Sequence, residues 1–313
     1  MRASAICGFA VALVVARESV LAQRPSSPRP DLEGTWSGAT LTPLQRPSGF
    51  ENRATFTPEE AAEYRRNAPE RIRRQLPSEA DRLTQADVDE AYVEVEVLRL
   101  DRFRTSLIVD PANGRLPGLV PAARARIARR PRRSFDNPET LGLAERCLVG
   151  NFGIGGSTAS PPMVPNEVIP AYYRIVQTGA HVVIFTEWMH DARIVRMNSA
   201  HISPAIRKWL GDSIGYYDGS TLVVDTTNFR ADTHNLDSGE RLHVVERFSR
   251  IDRNTLRYRV TVEDPDTWER PWTAEWPFTA TDTRMYGVEC HEGNYAIENF
   301  LRGARAEERR ERK

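Results

Sequence analysis

Net charge is absent from this chain: lysine plus arginine number 43 and aspartate plus glutamate also 43. That balance removes the long-range attraction that draws proteins to nucleic acid or to an anionic membrane, so neither partner is expected. The basic run Arg124 to Arg133 (RARIARRPRR) is the one strong local excess, and it reads as a solvated loop. After the N-terminus, no stretch approaches the about 18 uninterrupted apolar residues of a membrane-spanning helix. Several signatures of chemistry are missing too. There is no HExxH or Cys-x-x-Cys for a metal, and no Gly-x-Ser-x-Gly for a serine nucleophile. Gly153-Ile-Gly155-Gly156 is not a dinucleotide fingerprint and has no βαβ pattern around it, while Gly211-Asp212-Ser213 lacks the strand-turn-helix context of an esterase elbow.

Cysteine is scarce, with three in all. Cys7 lies in an N-terminal segment laid out like a secretory signal: Arg2, an apolar run from Ala5 to Ala16, then Val20-Leu21-Ala22 with small residues at the −3 and −1 positions. Cleavage after Ala22 and export to the periplasm or the extracellular space are expected. Cys7 lacks the small-residue context of a lipid-anchored cysteine. The mature chain would keep Cys147 and Cys290, and an even count in an oxidising compartment suggests a bond between them; a free thiol is the alternative for either.

What is present is mostly β pattern. Residues 23–30 (QRPSSPRP) form a Pro/Ser linker, and residues 31–303 read as a single domain. Asp31 to Trp36 enters a first strand. A helical excursion over 57–76 starts at Thr57-Pro58-Glu59-Glu60, a hydroxyl cap followed by proline and acids in the first turn. Ser106 to Asp110 is a short strand, and residues 111–170, rich in proline, glycine and arginine, read as a long loop. A meander follows: strands near 172–177, 181–188, 192–197, 214–217, 221–227, 242–250, 255–263, 272–279 and 285–290, with one short helix at Ser203 to Leu210. Residues 304–313 are a charged tail. So many short strands joined by turns predict a mainly β fold: an antiparallel up-and-down barrel, or a strongly bent sheet, with a few peripheral helices. A barrel of about eight strands can hold one small ligand.

Several segments carry a family likeness: Leu32-Glu-Gly-Thr-Trp36, Arg104 to Asp110, Glu145-Arg146-Cys147, His190-Asp191-Ala192-Arg193, Leu222 to Phe229 (LVVDTTNF), Val245 to Phe248 (VERF), Thr261 to Pro265 (TVEDP) and Cys290 to Tyr295 (CHEGNY). On these the chain resembles a broad family of uncharacterised secreted bacterial proteins. The resemblance implies a lipocalin-like β-barrel and carries no reaction.

Polar residues gather at strand ends, where a buried polar group must be satisfied or cost about 1–3 kcal/mol. Histidine beside a carboxylate can act as a general base near neutral pH. Adjacent residues on a strand face opposite ways, so partners must come from neighbouring strands. The candidate catalytic set is therefore His190 or His291 with Asp225, Glu246 or Glu263. Arg193, Asn228, Trp268, Trp272 and Asn294 are the candidate ligand contacts, Trp268 as a platform at a cavity mouth. A His–carboxylate–Arg network that braces strand ends would leave the same pattern. No cofactor is expected; His190, His243, Glu246 and His291 are the residues a metal would use.

Two functions fit. One is an exported enzyme of lyase, isomerase or hydrolase type, using acid–base residues in a barrel cavity on a small organic or carbohydrate substrate. The other is a periplasmic protein that binds a small ligand without turnover. For export, mass spectrometry of protein from its native host is expected to find a mature N-terminus near Gln23; an intact Met1 would contradict it.

Overall fold

The computed structural model describes residues 29–68, 101–129, 137–143, 146–149, 160–165, 172–187, 189–231, 238–287, 290–291, 293 and 295–312. The signal-like segment, most of the linker, positions 69–76 of the helical excursion, Trp188 and Asn294 lie outside them.

Alternation of side chains builds the sheet. In Thr255–Glu263 the residues Leu256, Tyr258, Val260 and Val262 are buried while Thr255, Arg257, Arg259, Thr261 and Glu263 face outward. Such strands have one apolar face each, and the chain hides all of these faces at once by rolling the sheet up. The strands are β1 (Gly34–Ser37), β2 (Ile108–Asp110), β3 (Tyr172–Gln177), β4 (His181–Thr186), β5 (Ala192–Met197), β6 (Asp212–Asp218), β7 (Thr221–Thr227), β8 (His243–Asp252), β9 (Thr255–Glu263) and β10 (Trp272–Ala280). Nine of them, β1 and β3 to β10 in order, form a barrel that closes where β10 pairs with β1 (Trp36 opposite Ala280). β2 pairs with the start of β10, Asp110 opposite Thr273. The mainly β barrel with few helices is thus the architecture found.

It is not purely up-and-down. β5 and β6 are parallel, with Arg196 opposite Ile214 and Met197 opposite Gly215. A parallel pair needs a crossover rather than a hairpin, and residues 198–211 supply it. The helix expected at 203–210 does not form there. Lys208 instead donates its N–H to Asn228 O and accepts from Arg230 N, so its backbone pairs like a strand with residues after β7. Gly211 follows with φ +71°, where an added Cβ would lie 2.8 Å from Thr227 O. A bulkier residue has no room at this corner.

Among the described residues, three α-helices sit outside the sheet: α1 (Pro58–Arg66), α2 (Pro121–Ala128) and α3 (Ala296–Glu311). α1 opens with the expected cap, Glu60 N donating to Thr57 Oγ1 while Thr57 N donates to the Glu60 carboxylate. α2 lies in the stretch read as loop, started by Pro121 at its first position. The last expected strand, 285–290, is absent among its described residues, because Tyr286 N–H goes to the Glu187 side chain rather than to a ladder.

The barrel has two halves, β1-β3-β4-β5 and β6 to β10. They meet at two seams, β5–β6 and β10–β1, with two register pairs each, whereas the seams inside each half carry four or more. Aromatic rings fill the space between. Phe278 lies between Tyr173 and Tyr258, at 5.1 Å from each and nearly parallel to both, and Trp276 meets Tyr258 edge-on at 4.6 Å. Cys147 and Cys290 are bonded, their Cα atoms 5.5 Å apart. Closing a loop of 143 positions constrains the unfolded chain by about 5 kcal/mol on the chain-entropy model. Among the described residues, no helix is long and apolar enough to cross a membrane.

Candidate functional site

The expected site residues divide between the two faces of the sheet. Register decides this: Glu246 lies opposite Val224, while Asp225 lies opposite Val245. Neighbouring positions on one strand point to opposite sides, so Glu246 faces the barrel interior and Asp225 faces out. They do not converge on one cavity.

Inside, Glu246 meets Arg193. Nη1 donates to Oε2 at 2.5 Å and Nη2 to Oε1 at 3.0 Å, with side-chain exposures of 2% and 0%. This planar two-point contact suits a guanidinium and a carboxylate, and it neutralises both in a site without water contact. Tyr258 adds a third bond, donating its hydroxyl to Glu246 Oε1 at 2.7 Å and accepting Met163 N–H at 3.2 Å. Burial, with the Glu246 charge adding to it, holds the Tyr258 phenol well above its ordinary range. Tyr173 is raised as well, chiefly by burial. The Met163 thioether reaches Arg193 Nη2 at 3.7 Å.

Not every polar group here is satisfied. The Tyr173 hydroxyl, Arg193 Nε, Trp272 Nε1 and Trp276 Nε1 are buried and have no hydrogen-bond partner among the described residues. Each such group costs on the order of 1–3 kcal/mol. Four in one barrel is a chemical property of its interior.

Outside, the ends of β6, β7, β8 and β9 bring together a chain of imidazoles and carboxylates. His201 from the crossover has Nε2 3.1 Å from Asp225 Oδ1 and Nδ1 3.1 Å from Asp212 Oδ2. His243 has Nε2 3.0 Å from the same Asp225 oxygen, and its Nδ1 is 3.9 Å from Glu263. Arg196 and Lys208 also bind Asp212. The imidazoles facing Asp225 are thus His201 and His243. His190 is in the β4–β5 turn at φ +53°, its exposed ring edge-on to Phe185, and His291 is exposed beside the disulfide. Among the described residues, no three His, Cys, Asp or Glu side chains stand where they could hold a metal.

The remaining candidates are structural in their contacts. Trp268 is 3% exposed and meets Trp272 edge-on in the core, so it is no platform at a mouth. Asn228, at φ +58°, donates Nδ2 to Ile202 O and pins the crossover. Sequence reasoning missed His201, Tyr173, Tyr258 and Met163. The two tyrosines carried a signal, Tyr258 being in phase with the buried Leu256, Val260 and Val262 and Tyr173 with the buried Ile175.

The comparisons with known proteins add nothing to this geometry: no family model matches the chain, and no curated protein or solved structure matches it.

Two measurements test these clusters. Arg193→Met or Glu246→Met alone is expected to destabilise by about 3–5 kcal/mol in urea unfolding, since each strands a buried charge. The double variant is expected to lose far less than the sum; an additive loss would mean that the two do not act as a pair. The outer cluster predicts a pH window. The hydrogen bond to Asp225 raises His243 above its ordinary 6.5, against an opposing effect of burial, with the Asp225 and Glu263 charges adding to the rise. Burial pushes Asp225 up, but the bonds and charges of His243 and His201 outweigh it and leave it below 3.8. A raised histidine stabilises fully below 6.5, and that contribution fades as pH climbs through its folded value. A lowered aspartate stabilises above 3.8, and its contribution fades as pH falls through its folded value. Melting midpoints of wild type and His243→Gln are therefore expected to differ most between about pH 4 and 6.5 and to converge in alkali. Parallel curves would show that the pair contributes nothing.

Proposed function

We propose that this protein is an exported barrel that binds a small organic molecule rich in hydrogen-bond acceptors, with the Arg193–Glu246–Tyr258 cluster as the polar floor of its site. The four buried donors without acceptors carry this reading. A well-packed interior normally pairs such groups, and a ligand oxygen is the kind of atom that would satisfy them. Met163 fits the role of a placeholder: a thioether is a weak acceptor for a guanidinium, and a ligand carboxylate or carbonyl would bind Arg193 Nη2 or Nε better. Export is supported by the layout of residues 1–22 and by the disulfide, which persists in oxidising compartments.

A second reading, acid–base catalysis on a small substrate, is favoured by the outer cluster. Asp225 holds two imidazoles on one oxygen, and the side chains of His201 and His243 are 25% and 39% exposed, within reach of a solute.

Tyr173→Phe separates a ligand site from a scaffold. Its hydroxyl has no partner, so its removal is expected to leave the free protein as stable or about 1 kcal/mol more stable. The same change is expected to weaken binding of small carboxylates and hydroxy acids that raise the melting midpoint of wild type. A panel that shifts neither protein, or shifts both equally, would overturn the interior site.

A further inference from the structure

A groove on the outer wall has no part in either cluster. Its floor is one cross-strand row: Thr35 on β1 stands opposite Arg174 on β3, which stands opposite Phe185 on β4. These positions alternate with the buried Trp36, Tyr173 and Ile184, so the row faces outward. Its roof is the chain after β10. Thr281 N donates to Thr35 O at 3.0 Å at one end, and Tyr286 N donates to the Glu187 carboxylate at the other. Between these two anchors the segment spans the row and encloses an open groove of about 720 Å³.

The chemistry of the groove is specific. Arg174 and Arg284 both line it, and among the described residues neither has a carboxylate partner. Elsewhere on the surface Arg53 is held by Glu60 and Arg270 by Asp110, so their charges are already answered. Asp282 is the single carboxylate in the lining, and Glu187 stands at the end where it holds Tyr286 N. Phe185, Met285 and Tyr286 supply flat and polarisable apolar surface, and Tyr286 is 69% exposed, so its ring is open to a solute. Paired guanidiniums bind oxyanions through a fork of donors, and aromatic faces stack on planar bodies.

We infer that this groove binds a small aromatic anion, its phosphate, sulfonate or carboxylate head held by Arg174 and Arg284 and its ring laid against Phe185 and Tyr286. The volume is that of a typical site for a single small molecule. The site is separate from the barrel interior and does not depend on it.

Phenyl phosphate is the probe, with inorganic phosphate and phenol as its two halves. Titrated at low salt into the full-length mature protein and followed by amide chemical shifts, phenyl phosphate is expected to move residues 174, 185 and 281–286. The amides of Glu246 and Tyr258 are expected to stay in place. Arg174→Gln and Arg284→Gln are each expected to weaken binding about tenfold, a loss of about 1.4 kcal/mol, with melting midpoints unchanged because both side chains are exposed. Tyr286→Ala is expected to bring phenyl phosphate down to the affinity of inorganic phosphate. Shifts confined to the interior, equal affinity for phenyl and inorganic phosphate in wild type, or full affinity in the double arginine variant would each overturn the assignment.

Discussion

A guanidinium from one half of the barrel grips a carboxylate from the other. Arg193 belongs to β5 and Glu246 to β8, and the two halves otherwise touch along seams of two register pairs each. Backbone pairing at those seams is shorter than within either half. Side chains that cross the interior add to it: the ion pair, the Tyr258 hydroxyl on it, and the stacking of Tyr173 from β3 on Phe278 from β10. A buried pair of this kind adds little stability over apolar side chains of the same size, because two charges must first leave water. Its contribution is to alignment. Any other registration of the halves would leave a charge unpaired at a cost of several kcal/mol.

Closure has a second effect, on where chemistry can occur. With no free edge, each strand has one side sealed and one side wet. The carboxylates of β7 and β8 are thereby assigned to two environments although they come from adjoining strands. Glu246 is locked in a charged bond away from water. Asp225, a third exposed, shares its oxygen between two imidazoles that solvent can reach. The first environment suits recognition and the second suits proton transfer.

Much of this was legible in the sequence, and period two was the reason. The alternation around Val244, Glu246 and Phe248, and around Arg193, Val195 and Met197, puts Glu246 and Arg193 in the buried phase, while Asp225 falls in the exposed phase of Leu222 to Thr227. An acid and a base each in the buried phase of its strand call for one another. The partners of Asp225 were not legible, because they depend on pairing rather than pattern. His201 arrives from a crossover that exists only because β5 and β6 are parallel, and SPAIRKWL has a local helix signal that pairing of Lys208 with Asn228 and Arg230 overrides. Trp268, flanked by prolines, gave the opposite misreading: an apparent exposed ring that packs on Trp272.

The two-halved barrel also sets an order of assembly. From β6 to β10 each strand pairs with the next one in the chain, so every contact in that half closes a short loop. The other half needs β1 to find β3, about 140 positions away, before it has an edge to close on β10. Short loops lose less chain entropy and form first. The C-terminal half is therefore built from local pairings alone, while the N-terminal strand is the stave that long-range pairing alone can seat.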